Sequence, residues 1–148
     1  MKWKLSFFLI LIINMVSYSQ KIDESAIIKK LLEKESATWR AADSKGHTEC
    51  WHIQPYSRIL VSTADGVTLD IPPTAMINTN PNAMGNGGSS VNTNYKMSIN
   101  GNSAWVSHDE ISTAKDGKKS YSYEIRMLEK FEGQWKLVGQ SIHIYKSE

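Results

Sequence analysis

Cysteine is almost missing from this sequence: Cys50 stands alone among 148 residues. A disulfide-stapled scaffold is therefore excluded, and stability has to come from burial and hydrogen bonding. A solitary cysteine beside Trp51 reads as a small buried apolar residue rather than a nucleophile. An excess of one charge is lacking too. The chain has 17 basic and 15 acidic residues, and its first nineteen positions hold two lysines and no acid, so the remainder balances at 15 against 15. With that balance, a basic surface able to hold nucleic acid or an anionic membrane is not expected. No apolar run reaches the roughly 20 residues of a membrane-spanning helix. His52, His108 and His143 show no ligand spacing with another His, Cys or carboxylate, so neither a metal nor a cofactor is expected.

What is present begins with Lys2 and Lys4, an apolar run over residues 5–16, and the small residues Ser17 and Ser19 around Tyr18. This is the order of a signal peptide over residues 1–19, cut near Ser19 and Gln20. It predicts a secreted or periplasmic protein, free of the membrane after cleavage. Residues 20–148 have the length of a single domain with one core.

Over residues 24–42, Ile27, Ile28, Leu31, Leu32, Trp39 and Ala42 recur at helical spacing, with Lys29, Lys30, Glu33 and Lys34 on the other side. Asp23 is the expected N-cap, and Gly46 the expected stop before a shorter helical piece over 48–52 that Pro55 ends. β-prone runs at 57–63 and 67–71 flank Ala64-Asp65-Gly66, a hairpin signal, and Pro72-Pro73 can open a helical turn over 74–77. Residues 78–94 are mostly Asn, Gly, Ser and Thr and read as a mobile loop. Within it, Gly85-Asn86-Gly87-Gly88 lacks the Lys-Ser/Thr of a phosphate cradle. Four β-rich runs follow, at 95–99, 103–113, 120–130 and 134–145. The turn signals Asn100-Gly101-Asn102, Lys115-Asp116-Gly117-Lys118 and Glu132-Gly133 separate them, which predicts an antiparallel meander.

Taking Asp116-Gly117 as a two-residue turn sets Asp109 opposite Glu124, Ser107 opposite Arg126 and Trp105 opposite Leu128. The same logic around Glu132-Gly133 sets Glu124 opposite Ser141, Arg126 opposite Gly139 and Ser122 opposite His143. One face then collects Trp105, Asp109, Glu124, Arg126, Trp135, Leu137 and His143. The other collects Val106, His108, Tyr121, Tyr123, Ile125, Met127, Val138, Ile142 and Ile144. A slip of one residue in either turn exchanges such lists. Both faces are too apolar to stay in water, so one meets the helix and a second copy is the simplest cover for the other, which predicts a homodimer. Ser107, Gly139 and Ser141 are small neighbours of Arg126 and Glu124, and small beside charged leaves room for a pocket.

A long helix with Thr38-Trp39-Arg40-Ala41-Ala42, a short second helix, a hairpin, and a meander carrying Tyr123-Glu124-Ile125-Arg126 and Gly133-Gln134-Trp135-Lys136-Leu137-Val138 follow one another in this order. The chain over residues 24–146 thereby resembles the nuclear transport factor 2-like superfamily, in particular its SnoaL-like branch and the association domain of calcium/calmodulin-dependent kinase. The resemblance implies an α+β fold in which a cone-shaped, bent antiparallel sheet wraps around the N-terminal helix, with a pocket at the wide end and frequent dimers. Members include isomerases, cyclases, dehydratases and epoxide hydrolases, so the fold does not choose a reaction.

On the inferred face, Asp109, Arg126 and Glu124 form an acid-base-acid cluster, similar to the Asp-Arg-Asp arrangement of the epoxide-hydrolase branch. Such a cluster could split carboxylate pKa values for proton transfer; the alternative is an ion pair that braces a bent sheet. Trp39, Trp51, Tyr56 and Trp105 are candidates to line an apolar pocket, and His143 to carry a proton or hydrogen-bond a ligand. Arg126, with its planar fork, is the expected anchor for an anionic or polar group of a small organic molecule. The leading expectation is a small-ligand-binding domain with its pocket on the concave sheet face. The alternatives are a cofactor-independent lyase, isomerase or hydrolase with Asp109 or Glu124 as general base, and a dimeric protein-interaction module.

Overall fold

The structure, a computed structural model, describes residues 23–85 and 87–148; the signal peptide expected over residues 1–19 lies outside the described residues. Helix α1 (Glu24–Arg40) begins where the Asp23 carboxylate accepts the Ala26 N–H at 3.1 Å, as its N-cap position predicts. Its buried positions are Ile28, Leu32, Glu35 and Ser36, the spacing of one helix face. The apolar stripe thus runs on into two polar residues. Asp43 caps α2 (Ser44–Thr48) by accepting the Gly46 N–H at 2.9 Å. Gly46 therefore lies inside the second helix rather than before it, because the Asp43 cap starts that helix four residues earlier than Thr48. A Cβ at Gly46 would press into the Asp43 carboxylate and come within 2.8 Å of the Thr38 methyl.

Strands β1 (Ile59–Ser62) and β2 (Thr68–Ile71) form the expected hairpin, and 3-10 turns follow at Pro73–Met76 and Pro81–Ala83. The meander is β3 (Ser89–Asn100), β4 (Ser103–Thr113), β5 (Lys119–Phe131) and β6 (Gln134–Ser147). All six strands make one sheet in the order β2-β1-β6-β5-β4-β3. It is mixed rather than wholly antiparallel, because β1 runs parallel to β6. That pairing is prepared just upstream, where His52 N–H donates to Leu137 O and Leu137 N–H to Cys50 O, each at 2.9 Å. Ile28 and Leu32 of α1 pack with Cys50, Trp51, Ile59, Met76, Ala104, Val106, Leu128, Trp135 and Leu137 into one core. Burial pushes the Cys50 thiol up to about 11, so it is an inert core group.

β3 departs from the expectation of a mobile loop over 78–94. It starts at Ser89, where Ser89–Thr93 pair with Thr113–Asp109, and after an irregularity at Asn94 the ladder resumes with Lys96 opposite Ser107. Backbone groups pair in a ladder whatever the side chains are, so an apolar-poor sequence can still be a strand when a neighbour offers its edge.

The decisive difference is the turn between β4 and β5. Thr113 pairs with Lys119, Ala114 N–H donates to Lys118 O at 2.8 Å, and Gly117, with φ +87°, closes a loop of three residues rather than two. One extra residue moves the whole register: His108 faces Glu124, Val106 faces Arg126, Asp109 faces Tyr123 and Trp105 faces Met127. Because side chains alternate with period two, every β4 residue changes face relative to the two-residue assignment. The β5–β6 turn has the expected length, with Phe131 opposite Gln134 and Leu128 opposite Leu137. A bulge between Met127 and Leu128 then shifts the ladder, so that Arg126 faces Gln140 and Glu124 faces Ile142.

Leu137 is fully buried and sits opposite Leu128 at the centre of this core. Leu137→Ala is expected to lower the unfolding free energy by about 2–5 kcal/mol in a urea titration; a loss below about 1 kcal/mol would contradict the packing described.

Candidate functional site

The bent sheet and the C-terminal half of α1 line a half-open cavity of about 450 Å³. Trp39, Val61, Ile71, Met76, Ile142 and Ile144 make its apolar walls, while Glu35, Ser36, Arg40, Glu110, Ser112, Ser122, Glu124, Arg126 and Gln140 make its polar lining. Gly85 and Gly87 close it over the end of α1, their N–H groups donating to Trp39 O at 3.1 Å and Arg40 O at 2.7 Å. A Cβ on Gly85 would sit 3.0 Å from the Arg40 Cα, so close approach explains that glycine.

Two ion-paired networks form the lining. In the deeper one, Arg126 Nε donates to Glu124 Oε2 at 3.0 Å, its Nη2 donates to the same oxygen, and its Nη1 donates to Gln140 Oε1. Ser122 Oγ donates to the other Glu124 oxygen at 2.9 Å. In the second, Arg40 Nη2 donates to Glu110 Oε1 and, at 3.0 Å, to Ser112 Oγ, while Ser36 Oγ donates to Glu110 Oε2 at 2.8 Å. Arg40 Nη1 reaches back one turn to Ser36 O at 2.9 Å. Glu35 projects between the two, its carboxylate 3.6 Å from Arg126 Nη1 and 3.8 Å from His47 Nδ1.

Burial sets the electrostatics. Burial alone would push the Glu124 carboxyl up, but the Arg126 charge, His108 and the Ser122 hydrogen bond outweigh it and hold Glu124 below its usual range. Burial works against the Arg126 guanidinium as well, yet Glu124 and Glu35 keep it firmly charged. His108, also on the concave face, is pushed below its ordinary value, first by burial and then by the Arg126 charge, against the pull of Glu124. Among the described residues, neither of its ring nitrogens has a hydrogen-bond partner, and Glu124 Oε2 lies 3.6 Å from Nε2.

The expected site residues divide between the two faces. Glu124, Arg126 and Trp39 meet in the cavity. Asp109 does not join them: the three-residue turn puts it on the outer face, where it accepts a hydrogen bond from Asn94 Nδ2 at 2.6 Å. His143 is also outside, because the β6 bulge sets it opposite Tyr123, with Nε2 3.0 Å from Ser141 Oγ. Trp105 is 44% exposed and meets Tyr56, which is bonded to Glu129, in a shallow outer groove. Trp51 is buried in the core beside His47 and does not line the cavity. The fork of Arg126, expected to stand free for an anion, is already taken by Glu124 and Gln140. Glu35, Ser36, Arg40 and Glu110 were not anticipated. Their signal was in the helix periodicity, since 28, 32, 35, 36 and 39 continue one face, and Glu110 follows Val106 and His108 in strand alternation once the register is right.

No family model and no curated protein matches the chain. Solved structures do. An NTF2-like protein of unknown function from Shewanella baltica superposes with a TM-score of 0.63 at 18% identity, covering 86% of this chain and 98% of its own. An NTF2-like protein from Cytophaga hutchinsonii gives 0.61 at 15% identity, with 83% and 99% covered. A hexachlorocyclohexane dehydrochlorinase of type 2 gives 0.62 at 11% identity, with 84% and 86% covered. The chain thus has the NTF2-like fold, an α+β cone in which a bent sheet wraps the first helix.

Folded His108 takes up a proton at lower pH than it would in the unfolded chain, where the ordinary value is 6.5, so protonation favours unfolding. Stability is expected to be complete above that value and to fall as pH drops below about 6.5, with a second fall below 4.5 as Glu124 loses its charge. Urea unfolding from pH 8 to 3 checks this; His108→Gln should flatten the first decline, and an unchanged slope in that variant would contradict the assignment.

Proposed function

We propose that the chain binds a small organic molecule in its concave cavity. The observation that carries this reading is the cavity itself. Its volume of about 450 Å³ lies within the range of small-ligand sites, which runs to roughly 300–1,000 Å³, and it joins apolar walls to a few convergent polar groups. The leader-like order of residues 1–19 supports a secreted or periplasmic location for the proposed binder.

Cofactor-independent lyase chemistry is the second reading, favoured by the imidazole of His108, which lies beside Glu124, has no hydrogen-bond partner among the described residues and is held below its ordinary pKa by burial. It has less support. Asp109 points outward, Glu124 is a weakened base in its pair with Arg126, and His108 does not line the cavity. The dehydrochlorinase shares the fold with this chain, and fold alone carries no reaction.

A thermal-shift screen of small organic molecules tests the binding reading. Compounds that raise the wild-type melting temperature should lose the effect in Ile142→Trp, which fills the cavity; equal shifts in both proteins would contradict it.

The outer face is proposed to be covered by a second copy. Trp105, Met127, Tyr123 and Tyr145 are all exposed there, with Tyr123 and Tyr145 stacked at 4.5 Å. So continuous an apolar strip is more than a monomer usually leaves in water. Sedimentation at micromolar concentration should show a dimer that Trp105→Lys with Tyr123→Lys dissociates; monomer alone for the wild type would contradict it.

A further inference from the structure

Charges around the cavity do not cancel through its two arginines. Glu35, Glu110 and Glu124 line it together with Arg40 and Arg126. Both guanidiniums are committed: Arg40 to Glu110, Ser112 and Ser36, and Arg126 to Glu124 and Gln140. Each oxygen of Glu110 and Glu124 receives a hydrogen bond from within these networks. Glu35 differs. Its side chain is only 7% exposed, it faces the cavity, and among the described residues no donor comes within hydrogen-bond distance of its carboxylate. The nearest nitrogens, Arg126 Nη1 at 3.6 Å and His47 Nδ1 at 3.8 Å, are within ion-pairing reach but too far to hydrogen-bond.

Glu35 has Arg126 and His47 at ion-pairing distance but, among the described residues, no hydrogen bond, and the Arg126 charge is shared with Glu124; a ligand that brings N–H groups and positive charge supplies the missing hydrogen bonds and offsets the remaining negative excess. An anion would add to the negative excess instead. Trp39 stands one helical turn beyond Glu35 and lines the same cavity, so an indole ring accompanies the carboxylate. Val61, Ile71 and Ile142 supply an apolar wall for the remainder of a ligand.

We infer that the cavity selects an organic cation, an amine or amidine on an apolar body, with Glu35 as the ion-pairing residue that sets this specificity. The inference rests on the small-ligand reading and narrows its ligand class. It replaces Arg126 as anchor of an anion with Glu35 as anchor of a cation.

Three probes of nearly equal size test it by calorimetric titration: 2-phenylethylamine, 2-phenylethanol and phenylacetate. Wild-type protein should bind the amine at least tenfold more tightly than the alcohol, and phenylacetate most weakly. Glu35→Gln, which keeps the size and removes the charge, should bring the amine to within about threefold of the alcohol. Alcohol or phenylacetate binding as tightly as the amine overturns the inference while the ligand-binding reading stands, and so does an amine preference that survives Glu35→Gln. Absence of binding by all three probes at millimolar concentration overturns both. The ranking on the wild type needs no variant, so poor folding of Glu35→Gln leaves a decisive result.

Discussion

The loop joining β4 to β5 holds three residues, and the orientation of every side chain on β4 relative to β5 follows from that number. Strand side chains alternate, so a loop one residue shorter would put Asp109 and Trp105 inside and His108 and Glu110 outside. Gly117 makes the longer loop affordable by adopting a positive φ that other residues resist. With the register fixed this way, Glu110 reaches α1 and pairs with Arg40 and Ser36, and His108 comes beside Glu124. The later bulge in β6 completes the arrangement by bringing Gln140 to the Arg126 guanidinium.

Burying Arg126 and three carboxylates, with Arg40 partly buried beside them, needs a reason in a domain of this size, because desolvating each ion costs several kcal/mol before any pairing. Pairing and hydrogen bonding offset that cost for Arg126, Glu124, Arg40 and Glu110, each of which has geometrically specific partners. A core built for stability alone would do as well with apolar residues there. The polar continuation of the α1 stripe, from Ile28 and Leu32 to Glu35 and Ser36, therefore marks the place where the core stops being packing and becomes a lined cavity. Neighbours of the fold share the cone.

Much of the architecture is legible in the sequence because its signals are local. Asp23 caps a helix whose apolar spacing is plain, Asp65-Gly66 turns a hairpin, and Glu132-Gly133 turns another at the expected length. The site was legible only in part, since Glu124 and Arg126 alternate correctly within β5 whatever its neighbours do. Asp109, Trp105 and His143 depend on counting across turns and bulges, and one residue in Lys115-Asp116-Gly117 and one in β6 were enough to send them outward. The first half of β3 was hidden for a different reason: Ser89, Ser90 and Asn92 carry little strand propensity, and it is the β4 edge that holds them. Glu35 and Arg40 were visible in the helical spacing but are polar, so a search for apolar periodicity passes over them.

Cross-strand proton contacts measured by nuclear magnetic resonance in solution test the register most directly, since opposed residues of antiparallel strands bring their backbone protons within a few ångströms. The account predicts contacts for the pairs His108 with Glu124 and Val106 with Arg126, and none placing Asp109 directly opposite Glu124. Contacts pairing Asp109 with Glu124 and Ser107 with Arg126 would contradict it, and with it the lining of the cavity.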